Sequence, residues 1–139
     1  MANYYGNARS NYFKVKDVEA FKKEFIDKIN GLEFIENNVG VGFLVTENDC
    51  GGIPCCMVDP KDPDNIKDID LAEELSKHLA DGEVAIYQEV GAEKLRYLTG
   101  YAVAVNSKGE TVTVSISDIY QMAKSLTEAD PTSITKCEY

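Results

Sequence analysis

The chain has 139 residues, of which 44% are hydrophobic, and a formal net charge of −10 at pH 7. This length and composition are those of one globular domain over residues 1–139, and they exclude a globally disordered chain. No apolar run approaches the roughly 18 residues of a membrane span, and the first residues lack the basic and apolar regions of a signal peptide. We therefore expect a cytoplasmic protein whose charge repels nucleic acid.

The first half of the chain predicts one helix and four strands. Asp17 is a suitable N-cap for a helix in which Phe21, Phe25 and Ile29 recur every four residues. Pro54 removes a backbone donor, so the strand that contains it is expected at a sheet edge or a bulge. The four strands are predicted at residues 11–15, 32–35, 39–46 and 53–58.

The second half begins with a predicted loop, because residues 59–65 contain two prolines and repeated Asp and Asn without a hydrophobic period. Asp70 is the predicted cap of a second helix, with Leu71, Leu75 and Leu79 on one side. The remaining predicted elements are strands at 83–90, 94–106, 110–116 and 133–137, and a third helix that Ser117 caps. The residues of this helix predicted to face inward are Ile119, Met122, Ala123 and Leu126.

The predicted strand at 94–106 alternates between two kinds of residue. Its odd positions hold large aromatic and aliphatic side chains, whereas Gly100, Ala102 and Ala104 form a face of small residues. We expect a helix to pack closely on this small-residue face. The order of all elements predicts an α+β fold, with a mostly antiparallel sheet of about six to seven strands backed by three helices.

Negative charge is concentrated in residues 47–83, which hold eleven acids and three bases. Such a field attracts basic protein surfaces. The predicted partner-binding residues are Asp59, Asp62, Asp64, Asp68, Asp70, Glu73 and Glu74. A metal site is disfavoured, because Ile66 and Lys67 stand where an EF-hand needs an oxygen ligand and a glycine. A solvated segment that only increases solubility stays open as an alternative.

A second candidate site surrounds the turn between the strands at 83–90 and 94–106. Acidic, basic and aromatic side chains gather there, and we interpret them as a possible pocket for a small ligand or nucleotide. The residues are Glu89, Glu93, Arg96, Tyr97 and Tyr101. Ion pairing across the two strands is the alternative interpretation of the same mixture.

Cysteine and histidine form no catalytic or metal-binding pattern. Cys50, Cys55 and Cys56 lack the spacing of a zinc site, and with Cys137 they are too few for a disulfide scaffold. His78 is the single histidine, and its position near the end of the second helix favours a cation that faces the helix dipole. The sequence therefore predicts neither an enzyme nor a cofactor nor a metal.

Three segments of the chain carry a resemblance to known proteins. They are residues 1–17 (MANYYGNARSNYFKVKD), 89–105 (EVGAEKLRYLTGYAVAV) and 134–139 (ITKCEY). They resemble a group of small acidic proteins of uncertain function encoded on phages, plasmids and integrative elements. The resemblance implies a setting in which such proteins inhibit host defence, as anti-CRISPR proteins and DNA mimics that block restriction enzymes do. It assigns a role to no individual residue.

Charge and resemblance together lead to one functional expectation. We expect an inhibitor of a CRISPR or restriction effector that occludes the basic nucleic-acid-binding surface of that effector. The expected partner is a basic host protein, with no direct binding of nucleic acid and no membrane association. The oligomeric state is left open, since an edge strand can be covered or can pair across a two-fold axis.

Overall fold

A computed structural model describes residues 4–46, 52–59, 61–128 and 130–138. The segment between the predicted strands at 39–46 and 53–58, which contains Cys50, lies mostly outside these residues. The strands are β1 (Tyr5–Ser10), β2 (Leu32–Glu36), β3 (Val41–Val45), β4 (Cys56–Asp59), β5 (Asp62–Asp68), β6 (Val84–Glu93), β7 (Tyr97–Asn106) and β8 (Thr111–Ser115). The helices are α1 (Val18–Phe21), continued by a π-helical turn (Lys22–Ile26), α2 (Leu71–Ser76) and α3 (Asp118–Met122), with 3₁₀ turns at Ala123–Leu126 and Pro131–Ser133.

Six strands form one sheet in the order β2-β3-β1-β6-β7-β8, and β4 pairs with β5 in a separate two-stranded sheet. Every pair of neighbouring strands is antiparallel. The predicted α+β fold with a mostly antiparallel sheet is therefore confirmed. No helix among the described residues is long and apolar enough to cross a membrane.

The hydrophobic core lies on one face of the six-stranded sheet. Phe13, Phe21, Phe25 and Phe43 are fully buried there, and the rings of Phe21 and Phe25 stack with centroids 5.1 Å apart. The sheet contributes the inward side chains of β6 and β7, namely Ala85, Tyr87, Val103 and Val105. Helix α2 contributes Leu71 and Leu75, and Leu79 is buried just beyond it, as their spacing predicts.

Two of the three predicted helix caps are present, whereas the Ser117 side chain forms no capping hydrogen bond at the start of α3. The Asp17 carboxylate accepts hydrogen bonds from the backbone N–H groups of Glu19 (3.0 Å) and Ala20 (3.2 Å). The Asp70 carboxylate accepts one from Ala72 (3.0 Å) at the start of α2. Each carboxylate satisfies backbone donors that have no partner inside the first helical turn.

The predicted loop at 59–65 was wrong, because most of it belongs to β5. Met57 pairs with Lys67 and Val58 with Ile66, so that β4 supplies the backbone partners that the composition of β5 does not suggest. Pro63 is tolerated in β5 because it lies in the irregular part of the ladder, between the Asp59–Asp62 and Val58–Ile66 pairs, where no partner in β4 needs its missing donor.

The N-terminal strand and the long hairpin lie at positions other than those predicted. The first strand is β1 rather than 11–15, and of the predicted residues Phe13 and Val15 form only isolated bridges. Strand β6 continues through residues 91–93, and the turn follows at 94–96, where Lys94 has a φ of 51°. Near the C-terminus, Glu138 forms a single bridge to Tyr97 in place of the strand predicted at 133–137.

The helices cover the opposite face of the sheet from the one expected. The core side chains of β7, Val103 and Val105, are on one face, whereas Ala102 and Ala104 lie on the open face. The larger side chains of the odd positions fill the core more completely than alanine would. Helix α3 and the 3₁₀ turn after it do not pack inward either: the predicted core residues Ile119, Met122 and Leu126 are 56%, 67% and 86% exposed.

His78 differs from the expected cation. Its ring packs edge-on against Phe21 and Phe25, with centroids 5.9 and 6.1 Å away. Burial lowers the pKa of the imidazole below its usual 6.5, although Glu24 and Glu74 act in the opposite direction. The neutral ring is therefore the form that the fold favours.

Candidate functional site

The acidic residues of the predicted partner-binding surface belong to two adjoining elements. Asp62, Asp64 and Asp68 belong to β5, Asp59 ends β4, and Asp70, Glu73 and Glu74 lie at the start of α2. Val58 pairs with Ile66 but Asp59 pairs with Asp62, so residues 63–65 have no partner in β4 and the alternation of side chains is interrupted there. Asp68 shares a face with Ile66, whereas Asp62 shares the opposite face with Asp59. We call Asp62, Asp64 and Asp68 the β5 acidic row.

Some carboxylates of this surface already form hydrogen bonds or ion pairs within the protein, and others do not. Asp59 accepts a hydrogen bond from the backbone N–H of Lys61 (2.9 Å), Asp70 caps α2, and Glu74 pairs with the Lys77 ammonium at 3.1 Å. The three ion pairs among the described residues are Lys22–Glu19, Lys77–Glu74 and Arg96–Glu93. The β5 acidic row takes part in none of them and is exposed, so it remains available to a partner.

The acidic surface does not converge into a cage of oxygen ligands. Within the described ranges, no group of three or more acidic, cysteine or histidine side chains comes close enough together to hold a metal ion. An extended strand separates its carboxylates instead of bringing them to one point. The geometry is that of a line of charges, which suits an extended surface.

The second predicted site is built along one face of the β6–β7 hairpin. Glu89 lies opposite Tyr101, and Glu93 lies opposite Tyr97, so these four side chains share the face. Glu93 pairs with the Arg96 guanidinium at 3.5 Å across the turn. The structure therefore divides the five residues into a Glu89 group and a separate group at the turn.

Glu89 is the centre of a hydrogen-bond network that joins distant parts of the chain. The Tyr4 hydroxyl donates to its Oε2 at 2.7 Å, and the Ile53 backbone N–H donates to its Oε1 at 2.6 Å. The Tyr101 hydroxyl donates to Oε1 at 3.3 Å, and Thr99 donates to the Tyr4 hydroxyl at 3.4 Å. Burial, and next the Glu89 charge, raise the pKa of Tyr101 far above 10, so this phenol stays a donor.

Sequence reasoning missed Tyr4 as a member of this network. The Tyr4 ring lies over Gly6 and Gly91, which pair directly across β1 and β6. A Cβ on Gly6 would lie 2.8 Å from the Tyr4 hydroxyl oxygen, and one on Gly91 would overlap the same atom. Glycine inside a strand is the available signal, because it often marks a place where another group approaches the backbone closely.

Two of the predicted pocket residues line separate cavities. Tyr101 borders, from the other side of the sheet, a shallow cavity of about 280 Å³ on the open face beside Val114 and Ile116; its side chain lies on the opposite face with Glu89. Tyr97 borders a cavity of about 610 Å³ between the start of β7, α3 and the C-terminal segment. The polar side chains lining the larger cavity include Tyr120, Gln121, Lys124 and Lys136.

Comparison with known proteins returned no match of this chain to a protein-family model, a curated protein or a solved structure. The charge and geometry of its own side chains are therefore the basis for a functional proposal.

Proposed function

We propose that this protein is an interaction protein of a mobile element that inhibits a host CRISPR or restriction effector. In this proposal the β5 acidic row covers a basic, nucleic-acid-binding surface of the effector. The observation that carries the proposal is the exposed β5 acidic row, whose three carboxylates form no ion pair among the described residues. The resemblance to small acidic proteins of mobile elements supports the choice of target.

The β4–β5 hairpin favours recognition of a basic surface for two physical reasons. Backbone pairing with β4 fixes Asp62 and Asp68, the two ends of the row, before binding, so that less ordering free energy is lost when a partner docks. Ile66 lies on the same face as Asp68 and is 62% exposed, which adds an apolar contact beside that charge. Lysine and arginine side chains that bind nucleic acid through phosphates bind such carboxylates by charge-assisted hydrogen bonds.

The whole-chain charge supports the same proposal. A net charge of −10 steers the protein toward basic surfaces and accelerates association at low ionic strength. Because exposed charges are screened over about 8 Å at physiological salt, this binding should weaken as salt is added. Salt dependence is thus part of the proposal and belongs in its test.

The experiment is capture of partners from host lysate at low and high salt, followed by mass spectrometry. The triple substitution Asp62→Asn, Asp64→Asn, Asp68→Asn removes the row and leaves the Asp70 cap of α2 intact. The control is Glu19→Gln, Glu33→Gln, Glu36→Gln, which removes the same number of charges from exposed residues elsewhere. We expect wild type and control to capture a nucleic-acid-processing protein at low salt and the triple variant to lose it.

Two results would contradict the proposal. Equal capture of the same protein by the triple variant would show that the row is not the contact. Equal loss by both variants would show that net charge alone attracts the protein. A purified complex then allows the inhibition itself to be measured, as nucleic-acid binding by the effector with and without each variant.

A small-ligand or nucleotide-binding module is the second candidate function. The cavity of about 610 Å³ beside Tyr97 favours it, because Lys124 and Lys136 line it together with the aromatic ring of Tyr120. Ammonium groups and aromatic faces are the groups that recognise a phosphate and a base. A thermal-shift panel of nucleotides tests this candidate, and an unchanged melting temperature across the panel would contradict it.

A further inference from the structure

The outer edge of β8 carries backbone groups without a partner. Backbone bonds join Asn106 to Glu110 and Ile116 to Gly100, so the even-numbered residues of β8 bond to β7. In an antiparallel pair the bonding residues alternate, and Thr111 and Thr113 therefore direct their N–H and C=O groups away from the sheet. Both threonines are exposed, and no described residue bonds to these groups.

The pairing edge of β8 ends at Ser115. The backbone N–H of Ser115 also points outward, but it donates to the Asp118 carboxylate at 2.9 Å. Because the Ser115 N–H is occupied by this bond, it cannot donate to a strand that pairs with the edge of β8. The available edge is thus limited to the groups of Thr111 and Thr113, which are two donors and two acceptors.

The two edges of the six-stranded sheet differ in chemistry. Strand β2 carries exposed Glu33 and Glu36, which is how natural edge strands discourage pairing with another chain. Strand β8 has the sequence Thr-Val-Thr-Val-Ser, with no charge, proline or glycine. Val112 is 73% exposed and Val114 is 58% exposed, on the same face as Ile86 of β6.

Charge allows two copies of this chain to meet at β8, although the chain as a whole is strongly acidic. Residues 95–126, which include β7, β8 and α3, hold three bases and two acids. The acidic β4–β5 hairpin lies toward the other edge of the sheet. The Val58 backbone N–H of this hairpin donates to Lys28, which follows the π-helical turn that contacts the edge strand β2. Mutual repulsion is therefore small where β8 would meet β8 of a second copy.

We propose that two copies of this chain form a symmetric dimer by antiparallel pairing of their β8 strands, with the two-fold axis beside Val112. Thr111 of each copy then pairs with Thr113 of the other, and all eight outward N–H and C=O groups of these threonines bond. Val112 faces Val112 of the second copy as a non-hydrogen-bonded pair, with Cα atoms about 4.5 Å apart.

A second copy fits this edge better than an unrelated strand for a reason of symmetry. Each copy offers the same two donors and two acceptors, and pairing about Val112 uses all of them without disturbing the Asp118 bond to Ser115. The exposed face of Val112, Val114 and Ile86 also continues directly into the same face of the second copy. The proposal is independent of the β5 acidic row.

Cysteine cross-linking tests the register directly. In Val112→Cys the two introduced thiols lie opposite each other, within the Cα separation that a disulfide allows. The control Val114→Cys is on the same strand and face, yet its two thiols are offset by four residues, or roughly 13 Å, and cannot bond. After mild oxidation, we expect a linked 112–112 peptide by mass spectrometry under non-reducing conditions, and no 114–114 peptide.

Sedimentation tests whether the contact holds the dimer. We expect wild type to sediment at twice the 15.4 kDa of one chain. Val112→Lys places like charges face to face and should raise the dimer dissociation constant by roughly tenfold or more. The control Val39→Lys changes a comparably exposed valine in a turn and should leave the dimer unchanged.

Each alternative result overturns the proposal. A wild-type protein that sediments as a monomer up to about 100 μM, a concentration at which even weak specific contacts assemble, excludes the dimer. A dimer that Val112→Lys leaves intact forms through another surface. Equal cross-linking at 112 and 114 excludes the register about Val112.

Discussion

The substitution Glu89→Ala removes the acceptor that joins Tyr4, Ile53 and Tyr101 to one carboxylate. A hydrogen bond to a charged group contributes about 1.5–3 kcal/mol. Glu89 is only half-buried, and both tyrosine hydroxyls can turn to water once it is gone, so the three bonds are not additive. We therefore expect the free energy of unfolding to fall by about 2–3 kcal/mol.

Two further variants separate the hydrogen bonds from the charge. Glu89→Gln keeps one side-chain acceptor for Ile53 or a tyrosine, and we expect a loss of about 1 kcal/mol. Glu93→Ala is the matched control, since Glu93 lies on the same face of β6 but contacts the exposed Arg96 guanidinium. An ion pair at the surface is worth less than about 1 kcal/mol.

Urea unfolding followed by far-UV circular dichroism measures these losses. With a denaturant slope of about 1–3 kcal/mol per molar, Glu89→Ala should lower the midpoint by roughly 0.7–3 M. The order of midpoints should be Glu93→Ala above or equal to Glu89→Gln, and both above Glu89→Ala. A midpoint for Glu89→Ala equal to that of Glu93→Ala would refute the view that Glu89 joins the N-terminal segment to the sheet.

Three other expectations concern the core and its titratable groups. Phe43→Ala should lower the free energy of unfolding by about 3–5 kcal/mol in thermal melts, because it empties a fully buried site, whereas Val39→Ala in a turn should change it by less than about 0.5 kcal/mol. Because burial lowers the pKa of His78, the unfolded state binds the proton more readily, and the free energy of unfolding should fall as pH drops below 6.5. In His78→Gln the urea midpoint should therefore depend less on pH between 6.5 and 5.5 than in wild type. An unchanged pH dependence of the midpoint would contradict this. Burial raises the pKa of Tyr87 to about 12, so the stabilising contribution of this shift is fully present below pH 10 and is lost between pH 10 and 12. In Tyr87→Phe the urea midpoint should therefore fall less over this alkaline range than in wild type. An equal fall in both proteins would contradict the shift.

Local signals in the sequence predicted the helices well. Asp17 and Asp70 cap the helices they were assigned to, because a cap depends on residues only two or three positions away. The four-residue spacing of Phe21 and Phe25 predicted burial for the same reason. Helix α3 shows the limit of that reasoning, since the apolar spacing of Ile119 and Met122 does not reveal whether any surface is present to cover them.

Features that depend on pairing between strands were not predictable from local pattern. Strand β5 is polar and contains Pro63, and only its register with β4 makes it a strand. That register, with its irregularity between Asp62 and Ile66, also determines which face each of these side chains occupies. The Glu89 network likewise depends on Tyr4, which is 85 residues away in the chain, and on Ile53, which is 36 residues away.

The close approach of Tyr4 to Gly91 restricts how this protein can change over time. While the Tyr4 ring is present, any side chain at Gly91 collides with it, although β-branched residues are otherwise favoured in a strand. Once Tyr4 is replaced by a small residue, the same Gly91→Val change gains both strand propensity and buried surface. The two positions are therefore epistatic, and a lineage reaches the valine only when the tyrosine is lost first.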